Sequence, residues 1–368
     1  MLSASLRICL VASSRFPVAE PFMGGLEAHT HGLASALIRR GHRVSLFAAA
    51  GSDPALGATE LPVAAFSASP TARADVGSPP EEWMAEHHAY LDLVLGIARG
   101  RHGPFDVVHN NSLHHLPVAM SDLLAAPVVT TLHTPPLPWL ESAMAFAAPT
   151  ARFAAVSDSV ARSWGHAVDA VTLPNGVDTS LWRPLSPRSG GPTPTGRAVW
   201  TGRVVPEKAP HEALLAARRA GLAIDLAGPV HDPAYFRSAV APLLGRSARY
   251  LGHLQGRRLR HLVRSAAVAV VSPRWDEPFG LVAAEAMACG TPVAGYDNGA
   301  LSEIVDSTSG VLVTPGDTDA LGAAMRRAAR LDRAAVRARA VSHFSHDLMV
   351  ERYEWLYRDM ASERVGAA

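Results

Sequence analysis

The chain has 368 residues, 34 basic and 33 acidic side chains and a formal net charge of +1. That length exceeds one ordinary core, so two domains are expected. The balanced charge makes no electrostatic case for nucleic acid or an acidic polymer as partner, and no uncharged apolar run reaches the 18 residues of a membrane span.

In chain order the pattern alternates strand and helix. Residues 6–12 are apolar but interrupted by Arg7, too short for a signal peptide, and read as a first strand at 7–11. A Gly24-Gly25 turn opens a helix over 26–40, which Gly41 ends before a strand at 44–48. Residues 67–80 are rich in Ser, Ala and Pro and read as a mobile loop. Strands follow at 106–109, 128–132, 152–156 and 170–173. Residues 186–197, with Pro187, Pro192, Pro194 and three glycines and with Pro184 just ahead, have the composition of a linker. A second alternation then runs through strands at 198–200, 224–227, 249–251, 268–271, 292–295 and 311–313. Its helices are expected at 209–220, 233–243, 256–265 and 280–289. Strands regularly separated by helices imply parallel sheets covered on both faces. After a break at 342–345, Val350, Tyr353, Tyr357 and Met360 fall at helical spacing. This terminal helix needs a surface to cover, and the first domain is available. The expected organisation is a first domain 1–185, a linker 186–197, a second domain 198–342 and a helix 343–368 that crosses back. Cys9 and Cys289 lie in apolar runs and read as buried thiols of a reducing, cytoplasmic compartment.

Lys208 is the only lysine beside 33 arginines. Where a generic cation suffices, arginine has replaced it throughout. A surviving lysine suggests a position where a compact ammonium is needed and a guanidinium fork is not. With Arg203 five residues earlier, leaving the end of a strand, it makes a candidate diphosphate clamp; the alternative is chance survival on a solvated loop. The segment from Glu277 to Glu285 is the strongest chemical signal. Glu285 stands in a helix expected to be apolar on every face, where a carboxylate costs several kcal/mol unless paired. Glu277 precedes the helix, and the amides of Phe279, Gly280 and Leu281 between them offer a helix N-terminus for an anion. The alternative is a capped helix with one internally satisfied Glu.

Gly24 and Gly25 allow close backbone approach to a ligand, or make an ordinary turn; no G-x-G-x-x-G fingerprint is present. His133 ends a parallel strand, where ligands bind in such folds. His109-Asn110-Asn111 occupies a similar strand end, and Asn175-Gly176-Val177-Asp178 is a turn near the domain junction. Asp317-Thr318-Asp319 resembles a metal triplet, but its setting before Ala320-Leu321 reads as a helix cap.

Taken together these residues resemble the retaining glycosyltransferases of family 4, with the GT-B fold. The resemblance rests on Gly24-Gly25, His133, Asn175-Gly176-Val177-Asp178, Gly202-Arg203 with Lys208, Glu277 to Glu285, Gly290-Thr291-Pro292-Val293 and the terminal helix, and so spans nearly the whole chain. It implies two doubly wound Rossmann-like domains facing a central cleft. It implies a nucleotide-sugar co-substrate, with uridine the preferred base, and no bound metal or other cofactor. By position Arg203 and Lys208 would bind the donor diphosphate, helped by Gly24, Gly25 and the amides of Phe279, Gly280 and Leu281. Glu285 would take the ribose hydroxyls, Glu277 and His133 the donor sugar, and the backbone near His253-Leu254 the base. The hydroxyl acceptor, whether small molecule, lipid or glycan, carries no code in the sequence; Thr134 to Trp139 would shape its site. Three other readings stay open: a nucleotide-sugar epimerase or other donor-only enzyme, a phosphorolytic enzyme, and a silent nucleotide-binding module.

Overall fold

The computed structural model describes residues 5–62, 68–75, 77, 80–185 and 196–367. Most of the proposed linker, 186–195, lies outside them, as do residues 67, 76, 78 and 79 of the stretch expected to be a mobile loop. Within that stretch Pro70–Arg73 forms one helical turn capped by Ser69.

By proximity of the backbone the chain divides into two units. One comprises Met1–Ala155, Ala161–Leu173 and Val350–Ala368; the other comprises Val156–Val160 and Pro174–Met349. The division therefore falls at the Asn175–Asp178 turn, ahead of the Pro-rich stretch. The reason is local packing. Val177 pairs with Ser345, and a Cβ on Gly176 would lie 2.6 Å from the His346 Cα.

The first unit holds seven strands: β1 (Arg7–Val11), β2 (Arg43–Ala48), β3 (Thr59–Glu60), β4 (Val107–Asn110), β5 (Val128–Leu132), β6 (Arg152–Ala155) and β7 (Ala170–Thr172). They form one sheet in the order β3-β2-β1-β4-β5-β6-β7, parallel throughout. The second unit holds six: β8 (Ala198–Thr201), β9 (Ile224–Ala227), β10 (Ala248–Tyr250), β11 (Val268–Val271), β12 (Val293–Tyr296) and β13 (Gly310–Val313). Their order is β10-β9-β8-β11-β12-β13, again all parallel. The apolar runs of β4, β5, β9 and β11 are buried along their full length, as strands covered on both faces must be. Each unit is thus a Rossmann-like, doubly wound sheet. Strand order reverses at β1/β4 and at β8/β11, and ligands of such sheets bind beyond the carboxyl ends at these switch points.

The helix Glu81–Ala98, the helix Arg333–Phe344 and strand β3 were not read from the sequence. The expected break at 342–345 shrinks to Ser345. Asp332 caps the preceding helix through Ala334 and Ala335, and burial of Phe344 carries that helix to its end. The expected helix 233–243 is three short segments of different winding, Pro233–Tyr235, Phe236–Val240 and Ala241–Leu243. Pro242, which has no N–H to donate, lies in the last of them.

The terminal helix His346–Ala367 turns one stripe inward: Val350, Tyr353, Tyr357 and Met360 are at most 2% exposed. From Val350 onward the helix belongs to the first unit. There the Tyr357 hydroxyl lies 2.6 Å from His109 Nδ1, and His109 Nε2 lies 2.7 Å from Thr131 Oγ1. The Tyr353 hydroxyl completes the chain, 3.0 Å from Thr131. Burial, with His29 adding to it, pushes His109 well below the usual histidine range, so it is a neutral link in this network. His42 and Arg40 close the edge on Glu354.

Candidate functional site

The second unit assembles its site from the loops after β8 and β11, the two strands at the switch point. Beyond β8, Gly202 has a φ of 152°, a conformation that favours glycine. Arg203 follows, exposed and without a partner among the described residues. Pro206–Lys208 then makes a single tight turn, ended by Ala209 at a φ of 43°. A non-glycine residue rarely adopts that conformation. Ser272, at the end of β11, holds it by donating to the carbonyls of both Lys208 and Ala209, at 3.1 Å each. The lysine is thus aimed by a strained backbone fastened to the neighbouring strand.

The loop after β11 supplies the partner. Lys208 Nζ donates to Glu277 Oε2, with the side chains 21% and 12% exposed. The ammonium also stands 4.9 Å from the centroid of the Trp275 ring, and Trp275 Nε1 donates to the same Glu277 oxygen at 3.2 Å. Backbone contact with the next loop fixes Glu277, since Ala300 N donates to its carbonyl at 2.8 Å. Gly280, with a φ of 96°, caps the helix Leu281–Ala288; its carbonyl accepts from the N–H groups of Ala283 and Ala284, while those of the first two helical positions have no acceptor within the helix. That helix is not buried on every side, as the sequence suggested. Leu281, Val282 and Glu285 keep partial exposure, and the remaining residues are buried. Glu285 therefore stands on the one open stripe.

No protein group hydrogen-bonds the Glu285 carboxyl among the described residues. Its apolar surroundings push it up to about 8, against the opposing charge of Arg260. Although part of the residue is accessible, the apolar helix and the missing donors account for that direction. Arg260 lies on the helix Gly256–Ser265, which follows Leu254, half-buried just beyond β10.

In the first unit, Gly24 caps the helix Gly25–Arg39 in extended conformation, and its Cβ position faces Glu27 Oε2 at 3.3 Å. His133, just past β5, lies 2.7 Å through Nε2 from Asn111 Oδ1. With that oxygen as acceptor the proton sits on Nε2, and Nδ1 remains an acceptor. Burial, then the neighbouring His29 and His109, push His133 well below the usual histidine range. The imidazole is therefore neutral at pH 7 and suited to hydrogen bonding rather than to carrying charge. His29 meets its ring edge-on at 4.8 Å between centroids.

His29 was missed in the sequence. Its only signal was a polar residue, with Glu27 and Thr30, on the buried face of the helix. Of the other residues weighed as ligand groups, His109 lies between Tyr357 and Thr131, and the Asn175 turn lies against the backbone of Ser345 and His346. Asp317 caps its helix by accepting from Ala320 N at 2.8 Å, and Asp319 pairs with Arg219 at 3.1 Å.

Residues 23–181 match the family described as Glycosyltransferase Family 4, and residues 189–341 match Glycosyl transferases group 1. The D-inositol 3-phosphate glycosyltransferase of Mycolicibacterium paratuberculosis is 30% identical, over 99% of this chain and 94% of its own length. The chain belongs to the family 4 glycosyltransferases. The glycogen synthase of Mycobacterium tuberculosis is 28% identical to this glycosyltransferase, over 87% of this chain and 85% of its own. In fold, the glycosyltransferase resembles Anabaena HepE, solved in complex with UDP and glucose. The TM-score is 0.72 at 19% identity, covering 95% of this chain and 99% of that one. Among the described residues no helix is long and apolar enough to cross a membrane.

Proposed function

We propose that this glycosyltransferase moves a hexosyl group from a nucleotide-sugar, with UDP as the preferred carrier, to a hydroxyl acceptor with retention at the anomeric carbon. One observation carries the reading. The sole lysine, on the loop after β8 at the β8/β11 switch point, pairs with Glu277 on the loop that leads into the glycine-capped helix bearing an unpartnered carboxyl at Glu285. Lys208 and Arg203 hold the donor diphosphate, the amides of Phe279, Gly280 and Leu281 share its charge, and Glu285 accepts from the ribose hydroxyls. Leu254 borders the base. Glu277, once the diphosphate draws Lys208 away, faces the donor sugar. Among the residues of the first unit, Gly24 and Gly25 allow close backbone approach to a ligand, and neutral His133 can accept from a hydroxyl through Nδ1.

In the transfer, the bond from C1 to the diphosphate oxygen breaks and a bond from C1 to the acceptor oxygen forms on the same face. The acceptor proton passes to the departing phosphate. Charge stabilisation at the diphosphate is then the main demand, and the Arg–Lys pair meets it without a divalent cation. HepE, the structural neighbour with UDP and glucose, supports the choice of carrier. The relatives include enzymes named for inositol phosphate and phosphatidyl-inositol, which supports a polyol or glycan hydroxyl as acceptor.

Calorimetric titration with UDP, GDP and ADP tests the donor, and UDP should bind tightest. Failure of all three to bind would overturn the reading. Product NMR from UDP-glucose should show the anomeric configuration retained. An epimerised donor in the absence of acceptor would instead favour donor-only chemistry.

A further inference from the structure

Four arginines of the second unit meet around one recess. A cavity of about 380 Å³ is lined by Ser180, Leu181, Arg183, Arg257, Arg260 and Arg264. Three of them come from the helix Gly256–Ser265, at spacings of three and four residues that put them on one face. Like charges so placed repel one another. No carboxylate relieves Arg183, Arg257 or Arg264 among the described residues, and the residues outside that description include no Asp or Glu. Acids touch or act on the other lining residues. Asp178 accepts from Ser180 Oγ at 2.6 Å and from the amides of Ser180 and Leu181. Glu285 acts on Arg260 and on none of the other lining arginines.

Arg264 adds a second, independent observation. Its Nε is buried with no hydrogen-bond partner, and its terminal nitrogen has only His261 Nδ1, at 3.5 Å. A solvated arginine stripe would keep its nitrogens in water and would not surround a concavity. A buried donor left unmade is costly, and a planar fork is matched by the paired oxygens of a phosphoryl group. None of the lining residues belongs to the Lys208–Glu277 site.

We propose that this recess is an anion site for the phosphoryl group of a small molecule, separate from the donor diphosphate position. The inference stands on the second unit alone and does not depend on the transfer reaction. Its test uses the full chain at low ionic strength, titrated calorimetrically with inorganic phosphate and with glycerol 3-phosphate. Lys208→Ala should retain affinity for both within twofold. Arg257→Gln with Arg264→Gln should weaken both at least tenfold, while Arg326→Gln with Arg330→Gln, an equal loss of charge elsewhere, should change neither by more than twofold. Arg183→Gln, outside the helix, should weaken binding as well, and it guards against misfolding of the double variant. No binding by the unaltered protein, binding lost with Lys208 but kept without the arginines, or equal weakening by both double variants would each overturn the proposal. Cosedimentation with phosphatidylglycerol vesicles separates the source: arginine-dependent vesicle binding without binding of the soluble phosphates would overturn the small-molecule assignment.

Discussion

Lys208 and Glu277, 69 residues apart in sequence, form an ion pair beside the indole of Trp275. Each waits on the other: the ammonium is aimed by the Ala209 backbone and Ser272, and the carboxylate is fixed through Ala300. On the proposed assignment, donor binding exchanges one partner of Lys208 for another, and the ordinary value of a charge-assisted hydrogen bond becomes an upper range for the lysine's contribution.

Lys208→Ala should weaken UDP binding by roughly 1.5–3 kcal/mol, and Lys208→Arg should restore only part of it. Calorimetry on both variants checks this. Unchanged UDP affinity in both would remove Lys208 from the diphosphate.

Glu277→Gln releases the lysine from its partner. UDP should bind as tightly as before or more tightly, while kcat with a complete nucleotide-sugar falls. Glu285→Gln should do the reverse and weaken UDP itself. Parallel behaviour of the two variants toward UDP alone would show that the roles are wrongly divided.

The Glu285 carboxyl also makes a pH prediction. Its folded pKa, near 8, lies above the ordinary glutamate value of about 4.3. The folded state therefore binds the proton more tightly, and stability declines as pH rises between those two values. Glu285→Gln removes that decline. Its melting temperature should match the unaltered protein near pH 4.5 and exceed it increasingly toward pH 8, in thermal melts without nucleotide. A constant difference across that range would count against the raised pKa.

Activity should survive EDTA, since the reading assigns the diphosphate charge to Arg203 and Lys208. Asp317→Ala should lower stability by about 1 kcal/mol through loss of its cap without lowering kcat. A strict cation requirement traced to Asp317 and Asp319 would refute the assignment.

The terminal helix offers a test of the first unit. Tyr357→Phe removes the hydroxyl paired with His109 and leaves a buried nitrogen unpaired, which should cost about 1–3 kcal/mol in urea unfolding. Tyr353→Ala should cost about 3–5 kcal/mol, as for other large aromatic truncations in a core. Near-zero losses for both would mean that the stripe contributes little.

The order of residues alone makes legible the alternation of strands and helices, several boundaries to the residue, and the Asp317 cap. Buried parallel strands read as short apolar runs, helices repeat every 3.6 residues, and caps and turns are chemistry between near neighbours. It also marked Lys208, Glu277, Glu285 and His133 through residue type and place at strand or helix ends. Folding in three dimensions settles that Lys208 meets Glu277, that His133 leans on Asn111 and His29, and that the Tyr353–Tyr357 stripe closes on His109, 248 residues from Tyr357. It alone settles that Glu285 stands on an open stripe and that four arginines surround a recess. Strand β3, two residues long, and the edge it occupies left no periodic trace. Local pattern records how far a residue is buried and what its backbone can do. Which distant group it faces depends on the order in which strands enter a sheet, and no run of neighbouring residues encodes that order.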